Sequence, residues 1–111
     1  LMETTDRPGW FAEACRLLSQ PHAKPRDVAT RLGLSYESFR RRFRQLAGVA
    51  PQKFHLSQML NSAARLLDST DLKSAEIART LGFCDEAYFS RAFKKEKGRS
   101  PRTYRRNQSG T

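Results

Sequence analysis

Apolar residues recur at three- and four-residue steps over most of this chain, the spacing typical of helices that bury one face. An N-terminal helix is predicted from about Pro8 to Ser19. A longer helix is predicted from Pro51 to Ser69, with the proline in the first turn, where a missing N–H leaves no hydrogen bond unmade. The inward face of this longer helix is formed by Phe54, Leu56, Met59, Leu60, Ala63, Ala64 and Leu67.

The segments around this longer helix repeat one another at an offset of 49 or 50 residues. Residues 28–34 and 77–83 both follow the pattern apolar-Ala-x-x-Leu-Gly-apolar. In each copy two Phe residues spaced by four follow, and then a Gly-x-x-Pro turn. After the second of these turns, Ser100 is predicted to cap a last short helix that Pro101 opens. So many matches in the same order, with one inserted residue, indicate a duplicated unit.

Each copy predicts a short helix, a tight turn and a longer basic helix. Gly33 and Gly82 follow the last apolar position of the short helix, where a residue in the left-handed conformation ends a helix. Ser35 and Asp85 are the predicted N-caps of the longer helices. The longer helices bury their Phe pairs and turn Arg and Lys outward. Each unit therefore has the pattern of a helix-turn-helix.

Three regions follow from this organisation. Residues 1–50 are predicted to form the first helix-turn-helix subdomain, residues 51–69 a linker helix, and residues 70–111 the second subdomain with a basic C-terminal tail. The chain begins with Leu1 rather than Met, so we expect a piece of a longer protein.

The formal net charge of +10 indicates a polyanionic partner, either nucleic acid or a membrane surface. Most of the excess lies in residues 35–49, residues 85–99 and the tail. A single basic run is usually a solvated face, but two at equivalent places in a repeat are better explained by a nucleic acid. No apolar run could span a bilayer and no signal peptide is recognisable, so we expect a cytoplasmic location and no membrane partner.

The sequence contains no recognisable enzymatic site. Cys15 and Cys84 are expected to be reduced thiols, the first in the core and the second in an exposed turn. His22 and His55 are isolated, so local spacing assembles no metal site, and no cofactor is expected. We find no nucleophile with a base, no paired carboxylates and no Gly-rich phosphate loop.

The second repeat resembles a known family closely. The C-terminal signature of the AraC/XylS transcription regulators is similar to Ile77-Ala78-Arg79-Thr80-Leu81-Gly82-Phe83, Asp85-x-x-Tyr88-Phe89-Ser90-Arg91-x-Phe93-Lys94-Lys95 and Gly98-x-Ser100-Pro101-x-x-Tyr104-Arg105. The likeness extends over roughly residues 8–106. It implies an all-α fold of seven helices, with two helix-turn-helix subdomains joined by a long linker helix. It also implies sequence-specific binding of double-stranded DNA, activation of transcription through RNA polymerase, and a sensor or dimerisation domain outside this chain.

In the first repeat, side chains that face away from Phe39 and Phe43 are candidates for reading bases. By resemblance, the family's base-contact positions match Glu37, Arg40 and Arg41. Arginine pairs with guanine O6 and N7 through a bidentate fork. The glutamate either accepts a hydrogen bond from a cytosine amino group or orients Arg41.

The second repeat offers fewer base-reading groups. The matching positions are Glu86, Ala87, Ser90 and Arg91. Arg91 is the expected base contact, whereas Ala87 could meet only a thymine methyl. We therefore expect the second repeat to bind mainly through phosphates. The candidate phosphate contacts of both repeats are Arg44, Tyr88, Lys94, Lys95 and Arg102.

The remaining cations are expected to have surface roles. Arg42 follows the core pattern less well than its neighbours, and we expect it to pair with an acidic residue. Phosphate contact or solvation is expected for Lys97, Arg99, Arg105 and Arg106.

The length of the linker accounts for the presence of two units. At about 1.5 Å per residue it is a rod of roughly 27 Å, close to the ~34 Å between major grooves on one face of B-DNA. We hypothesise that the two longer helices enter successive grooves and that the duplex bends toward the protein.

Two other functions are alternatives. Some relatives with this fold are DNA-repair methyl acceptors, which need a reactive thiolate beside a metal or a cation. A basic protein-interaction module is the other alternative. RNA binding is disfavoured because helices do not enter the deep major groove of an A-form duplex.

Overall fold

The computed structural model describes residues 8–109, with side chains described through Arg105. Over that range the chain is all-α, with no strand, and the predicted fold class is confirmed. The seven helices are α1 (Gly9–Leu18), α2 (Pro25–Arg31), α3 (Tyr36–Ala47), α4 (Pro51–Ser69), α5 (Ser74–Leu81), α6 (Glu86–Lys97) and α7 (Pro101–Ser109).

The chain divides into two compact units, of which the first ends at Leu56 and the second begins at Ser57. The boundary lies within α4, whose bounds coincide with those predicted for the linker helix. The division into residues 1–50, 51–69 and 70–111 stays a prediction.

The first unit packs α1, α2 and α3 around an aromatic core. Phe43 is fully buried, and its ring centroid lies 5.2 Å from that of Phe11, 5.7 Å from that of Phe39 and 5.4 Å from that of Phe54. Burial of aromatic surface is the main stabilising contribution available to so small a unit. The buried residues of this core are Phe11, Ala14, Leu18, Val28, Ala29, Phe39 and Phe43.

The second unit repeats this arrangement with the C-terminal half of α4 in the place of α1. Phe93 is fully buried, with its ring centroid 5.8 Å from that of Phe89 and 5.4 Å from that of Tyr104. These separations match those of the first unit within 0.1 Å, which supports the duplication inferred from the sequence. The buried residues of this unit include Met59, Leu60, Ala63, Leu67, Ile77, Ala78, Leu81, Phe89 and Phe93.

The turn between the two helices of each motif is closed by an equivalent hydrogen bond in both units. Gly33 and Gly82 have φ values of +76° and +92°, as predicted for residues that end a helix. The N–H of Leu34 donates to the carbonyl of Ala29 at 2.9 Å, and Phe83 repeats this bond in the second unit at the same distance. This bond spans six residues and reverses the direction of the chain. The next helix therefore begins two residues after Leu34 and three residues after Phe83.

Candidate nucleic-acid interface

Helix α3 is held at both ends and along one side. The hydroxyl of Ser35 accepts a hydrogen bond from the N–H of Ser38 at 3.2 Å, which confirms the predicted N-cap. Gly48, with a φ of +82°, ends the helix. Phe39 and Phe43 are fully buried one turn apart, so they set the rotation of the helix about its axis. The opposite side of α3 is thereby turned to solvent.

That solvent-facing side of α3 is strongly basic. It forms an open depression of about 450 Å³ in the surface of the first unit. Of its five lining side chains, three are arginines and one is a carboxylate, and all five are exposed. The lining residues are Glu37, Arg40, Arg41, Arg44 and Gln45. Sequence reasoning named the first four and missed Gln45, although its spacing of four from Arg41 puts it on the same face.

The arginines of this depression carry uncompensated charge. Among the described side chains, ion pairs join Arg16 to Glu13 at 2.6 Å and Lys97 to Glu96 at 3.9 Å, and none involves an arginine of α3. The hydrogen bond from Arg16 lowers the pKa of the Glu13 carboxyl, and the same bond raises the pKa of the guanidinium. Arg42 is exposed, and no described carboxylate lies within 4 Å of it, so the expected ion pair is not formed.

Helix α6 is built in the same way as α3. The Oδ1 atom of Asp85 accepts a hydrogen bond from the N–H of Tyr88 at 2.7 Å, and Gly98 ends the helix with a φ of +83°. Phe89 and Phe93 are fully buried. The hydrogen bond from Tyr88 confirms Asp85 as the predicted N-cap. The candidate residues exposed on this helix are Glu86, Ala87, Tyr88, Arg91, Lys94 and Lys95.

The outward face of α6 differs chemically from that of α3. Ala87 stands at the position equivalent to Glu37, and Ser90, which is half-buried, at the position equivalent to Arg40. Arg91 is the one arginine of this helix. Tyr88 is 40% exposed, with its ring centroid 6.0 Å from that of Phe83. The second face thus presents fewer groups able to read bases.

Arg102 lies in the first turn of α7 and is exposed. The turn is capped by the Ser100 hydroxyl, which accepts from the N–H of Thr103 at 3.2 Å. This confirms Ser100 as the predicted cap of the last helix.

Comparison with known proteins identifies this arrangement. A family of helix-turn-helix domains matches residues 28–107. The arabinose operon regulatory protein of Escherichia coli K12 is 35% identical over 97 residues, which cover 84% of this chain and 33% of that protein. The transcriptional activator RhaS of Escherichia coli O139:H28 is 34% identical over 83 residues, which cover 75% of this chain and 30% of that protein. The chain belongs to the AraC/XylS family of transcription regulators.

A solved structure agrees with this membership. The DNA-binding domain of AdpA, determined in complex with a target DNA, matches with a TM-score of 0.75 at 32% identity and covers 86% of each chain. The resemblance drawn from the sequence is confirmed. The chain spans about a third of the length of the curated AraC/XylS relatives described above.

Two cations of this AraC/XylS domain have internal partners, which corrects the expectation of solvation or phosphate contact. The Nζ atom of Lys97 donates to Oδ1 of Asn61. The guanidinium of Arg105 donates to the backbone carbonyls of Leu67 at 3.3 Å and Thr70 at 3.1 Å. Both side chains are half-buried. These contacts join residues 35 to 38 positions apart, so no local pattern could predict them.

Arg99 agrees better with its expected surface role. It is exposed, and its guanidinium carbon lies 5.9 Å from the ring centroid of Tyr104. The side chain of Arg106 falls outside the described side chains.

The prediction of an exposed Cys84 is confirmed, whereas Cys15, predicted in the core, lies beside it. Cys15 is half-buried against the first core, and Cys84 is exposed, with its Sγ atom 3.9 Å from a carboxylate oxygen of Asp85. Between residues 8 and 109 there is no grouping of three His, Cys, Asp or Glu side chains suited to a metal ion. No helix in the same range is long and apolar enough to cross a membrane.

Proposed function

We propose that this chain is a sequence-specific DNA-binding domain that inserts α3 and α6 into successive major grooves of one duplex. The observation that carries the proposal is the duplicated motif, in which a buried Phe pair turns a basic helix face outward in each unit. The uncompensated guanidinium groups of α3 add support, because an exposed cation without a carboxylate partner is available to a polyanion. The DNA complex of the similar AdpA domain is consistent with this function.

In the first unit we assign base contacts to Glu37, Arg40 and Arg41. The arginines pair with guanine O6 and N7 in the major groove. Arg44 lies one turn further along α3 than Arg40, and we assign it to a phosphate contact.

In the second unit we assign base contacts to Arg91 and to its neighbours on the first two turns of α6. Phosphate contacts dominate this half of the interface because its exposed basic groups lie mostly in the last turn of α6 and the first turn of α7. The neighbours of Arg91 in the base-contact set are Glu86, Ala87 and Ser90. The phosphate-contact set is Tyr88, Lys94, Lys95 and Arg102.

The role of the whole protein follows by analogy with its family. We assign it to transcription activation, with RNA polymerase as a partner and with a sensor or dimerisation domain in the part of the protein outside this chain. A cytoplasmic location follows from that role. The family consists of transcription regulators, and no enzymatic activity is assigned.

Selection of binding sites from a random duplex library, followed by footprinting, tests the proposal. The recovered sites should contain two short blocks one helical turn apart, with both grooves protected. Arg40→Ala and Arg91→Ala should each weaken binding to the selected site by roughly 5- to 150-fold, the value of one bidentate base contact. Arg16→Ala is the matched control, because it removes one exposed arginine from α1.

Two outcomes would reject the proposal. One is protection of a single groove by the unmodified chain. The other is an affinity for the selected site that Arg40→Ala and Arg91→Ala reduce no more than the Arg16→Ala control does.

A further inference from the structure

The buried Phe pair of α3 defines which side chains point most directly away from the protein. Successive residues of an α-helix are about 100° apart around its axis. The direction opposite the bisector of Phe39 and Phe43 passes through Arg41. By the same spacing, Gln45 lies about 40° from that direction and Arg40 about 100° from it. Gln45 therefore faces outward more directly than one of the proposed base readers.

The environment of Gln45 leaves its amide free to bind a ligand. The side chain is exposed and lines the same depression as Arg41 and Arg44. Among the described residues, no hydrogen bond joins its amide to another group of the protein. It is also the one uncharged side chain lining the depression. Electrostatic attraction to phosphate does not account for a neutral amide at this place.

A glutamine amide has a specific partner in the major groove. Its carbonyl accepts and its NH₂ donates in one plane, which matches the N6 donor and N7 acceptor of adenine. An arginine offers donors only and matches guanine. The equivalent residue of α6 is Lys95, which has no acceptor and cannot form this pair. Of the two units, only the first therefore has a side chain at this position that can pair with adenine in this way.

We infer that Gln45 is a specificity-determining residue that reads an adenine in the half-site bound by α3, an inference that rests on the proposed function. Gln45 follows Glu37 by eight residues, which is about 12 Å along the helix axis. At about 3.4 Å per base pair, the adenine lies three or four base pairs from the position nearest Glu37. The half-site of α3 thus combines guanines, read by arginines, with an adenine toward the C-terminal end of the helix.

A paired change in protein and DNA tests the inference. The probe is the selected duplex, together with a duplex in which the candidate adenine is replaced by 7-deazaadenine, which lacks the N7 acceptor. The unmodified chain should bind the 7-deazaadenine duplex roughly 5- to 150-fold more weakly. Gln45→Ala should lose affinity for the natural duplex by a similar factor and should no longer distinguish the two duplexes.

Control variants separate this result from others. Gln20→Ala removes an exposed glutamine just beyond α1 and should keep the full preference for adenine N7. Gln45→Met keeps a side chain of similar length but has no donor for N7, so it should bind without that preference. A circular dichroism spectrum unchanged by Gln45→Ala, expected for an exposed position, shows that the variant is folded.

Each remaining outcome has a defined meaning. If Gln45→Ala weakens binding to every duplex equally, the residue contacts phosphate and the inference is overturned while the proposed function stands. If the unmodified chain binds both duplexes equally although it selects a defined site, the inference is also overturned. If the chain selects no site at all, the proposed function itself fails.

Discussion

The imidazole Nδ1 atom of His55 lies 2.7 Å from the backbone carbonyl oxygen of Leu18, the last residue of α1. A carbonyl oxygen only accepts, so this nitrogen carries the hydrogen. Fifty residues later, Arg105 donates to the carbonyls of Leu67 and Thr70 at the end of α4. The last carbonyls of a helix have no partner within it. In the first unit this partner for α1 is a side chain of α4, and in the second unit the partner for α4 is a side chain of α7.

Removal of the His55 imidazole should destabilise the protein. His55→Ala leaves a partly buried carbonyl without its donor, and we expect the free energy of unfolding to fall by about 1–2 kcal/mol. Urea unfolding followed by circular dichroism measures this change. Gln52→Ala, an exposed position on the same helix, should shift the free energy by less than about 0.5 kcal/mol. Equal effects of the two substitutions would show that the bond to Leu18 contributes nothing.

The glycines that end α3 and α6 should not tolerate a side chain. Gly48 and Gly98 have φ values of +82° and +83°, and an added Cβ at either would meet no atom within 4 Å. The cost of Gly48→Ala or Gly98→Ala is therefore that of the left-handed backbone alone, about 1–2 kcal/mol. Gly9→Ala, where space is equally open and φ is not positive, should be neutral or stabilising. Thermal unfolding that ranks Gly9→Ala with the other two would contradict this explanation.

The buried alanine of α5 should resist enlargement. Ala78 is 2% exposed and precedes the turn glycine by four residues, where helices pack closely. Ala78→Leu must displace its neighbours, and we expect destabilisation of about 1–3 kcal/mol. Ala75→Leu, an exposed position of the same helix, is the control and should leave the melting temperature nearly unchanged. A melting curve of Ala78→Leu that coincides with that of the control would disprove close packing at this position.

The contribution of the Asp85 N-cap to stability can be tested with a substitution that keeps the shape of the side chain. Asp85→Ala removes the acceptor for the N–H of Tyr88 and should cost about 0.5–2 kcal/mol of stability. Asp85→Asn keeps a side-chain oxygen at the same place and should retain most of the stability. Chemical unfolding of the two variants distinguishes capping from a general effect of charge, since both remove the carboxylate. A loss of stability as large for Asp85→Asn as for Asp85→Ala would show that the carboxylate charge, and not the capping hydrogen bond, stabilises the helix.

Binding to the selected duplex should depend strongly on salt. If about six phosphates are neutralised, the logarithm of the binding constant should fall against the logarithm of salt concentration with a slope near −5. Fluorescence anisotropy at several salt concentrations measures the slope. Lys94→Ala should reduce its magnitude by about 1, whereas Arg16→Ala on α1 should leave it unchanged. A slope near zero for the unmodified chain would exclude a phosphate-dominated interface.

The elements and their ends were predictable because short-range rules determine them. Gly33 adopts a left-handed conformation that other residues avoid, and Ser35 supplies the acceptor that a helix start lacks. The rotation of α3 follows from the spacing of Phe39 and Phe43. The candidate face was therefore visible in the sequence, although the assignment of its residues to bases and phosphates stays a prediction.

The environment of individual polar side chains could not be predicted in this way. Arg105 and Arg102 lie in the same basic tail, yet the first is half-buried on the end of α4 and the second is exposed. A rule based on charge or local spacing would predict the same exposed position for both arginines. Ser90 is half-buried although its position matches that of the exposed Arg40. Packing against another helix decides such differences.

The order of residues by itself determined the duplication, the helices, the N-caps of α3, α6 and α7 and the side of each helix that faces solvent, because these depend on neighbours within one or two turns. Tertiary structure alone decided that His55 binds the last carbonyl of α1, that Lys97 binds Asn61, and that Arg105 binds the Leu67 carbonyl near the end of α4. Those partners are 35 to 38 residues apart along the chain. They meet because folding leaves carbonyl and amide groups that water can no longer fully satisfy, and the nearest polar side chain then supplies the missing bond.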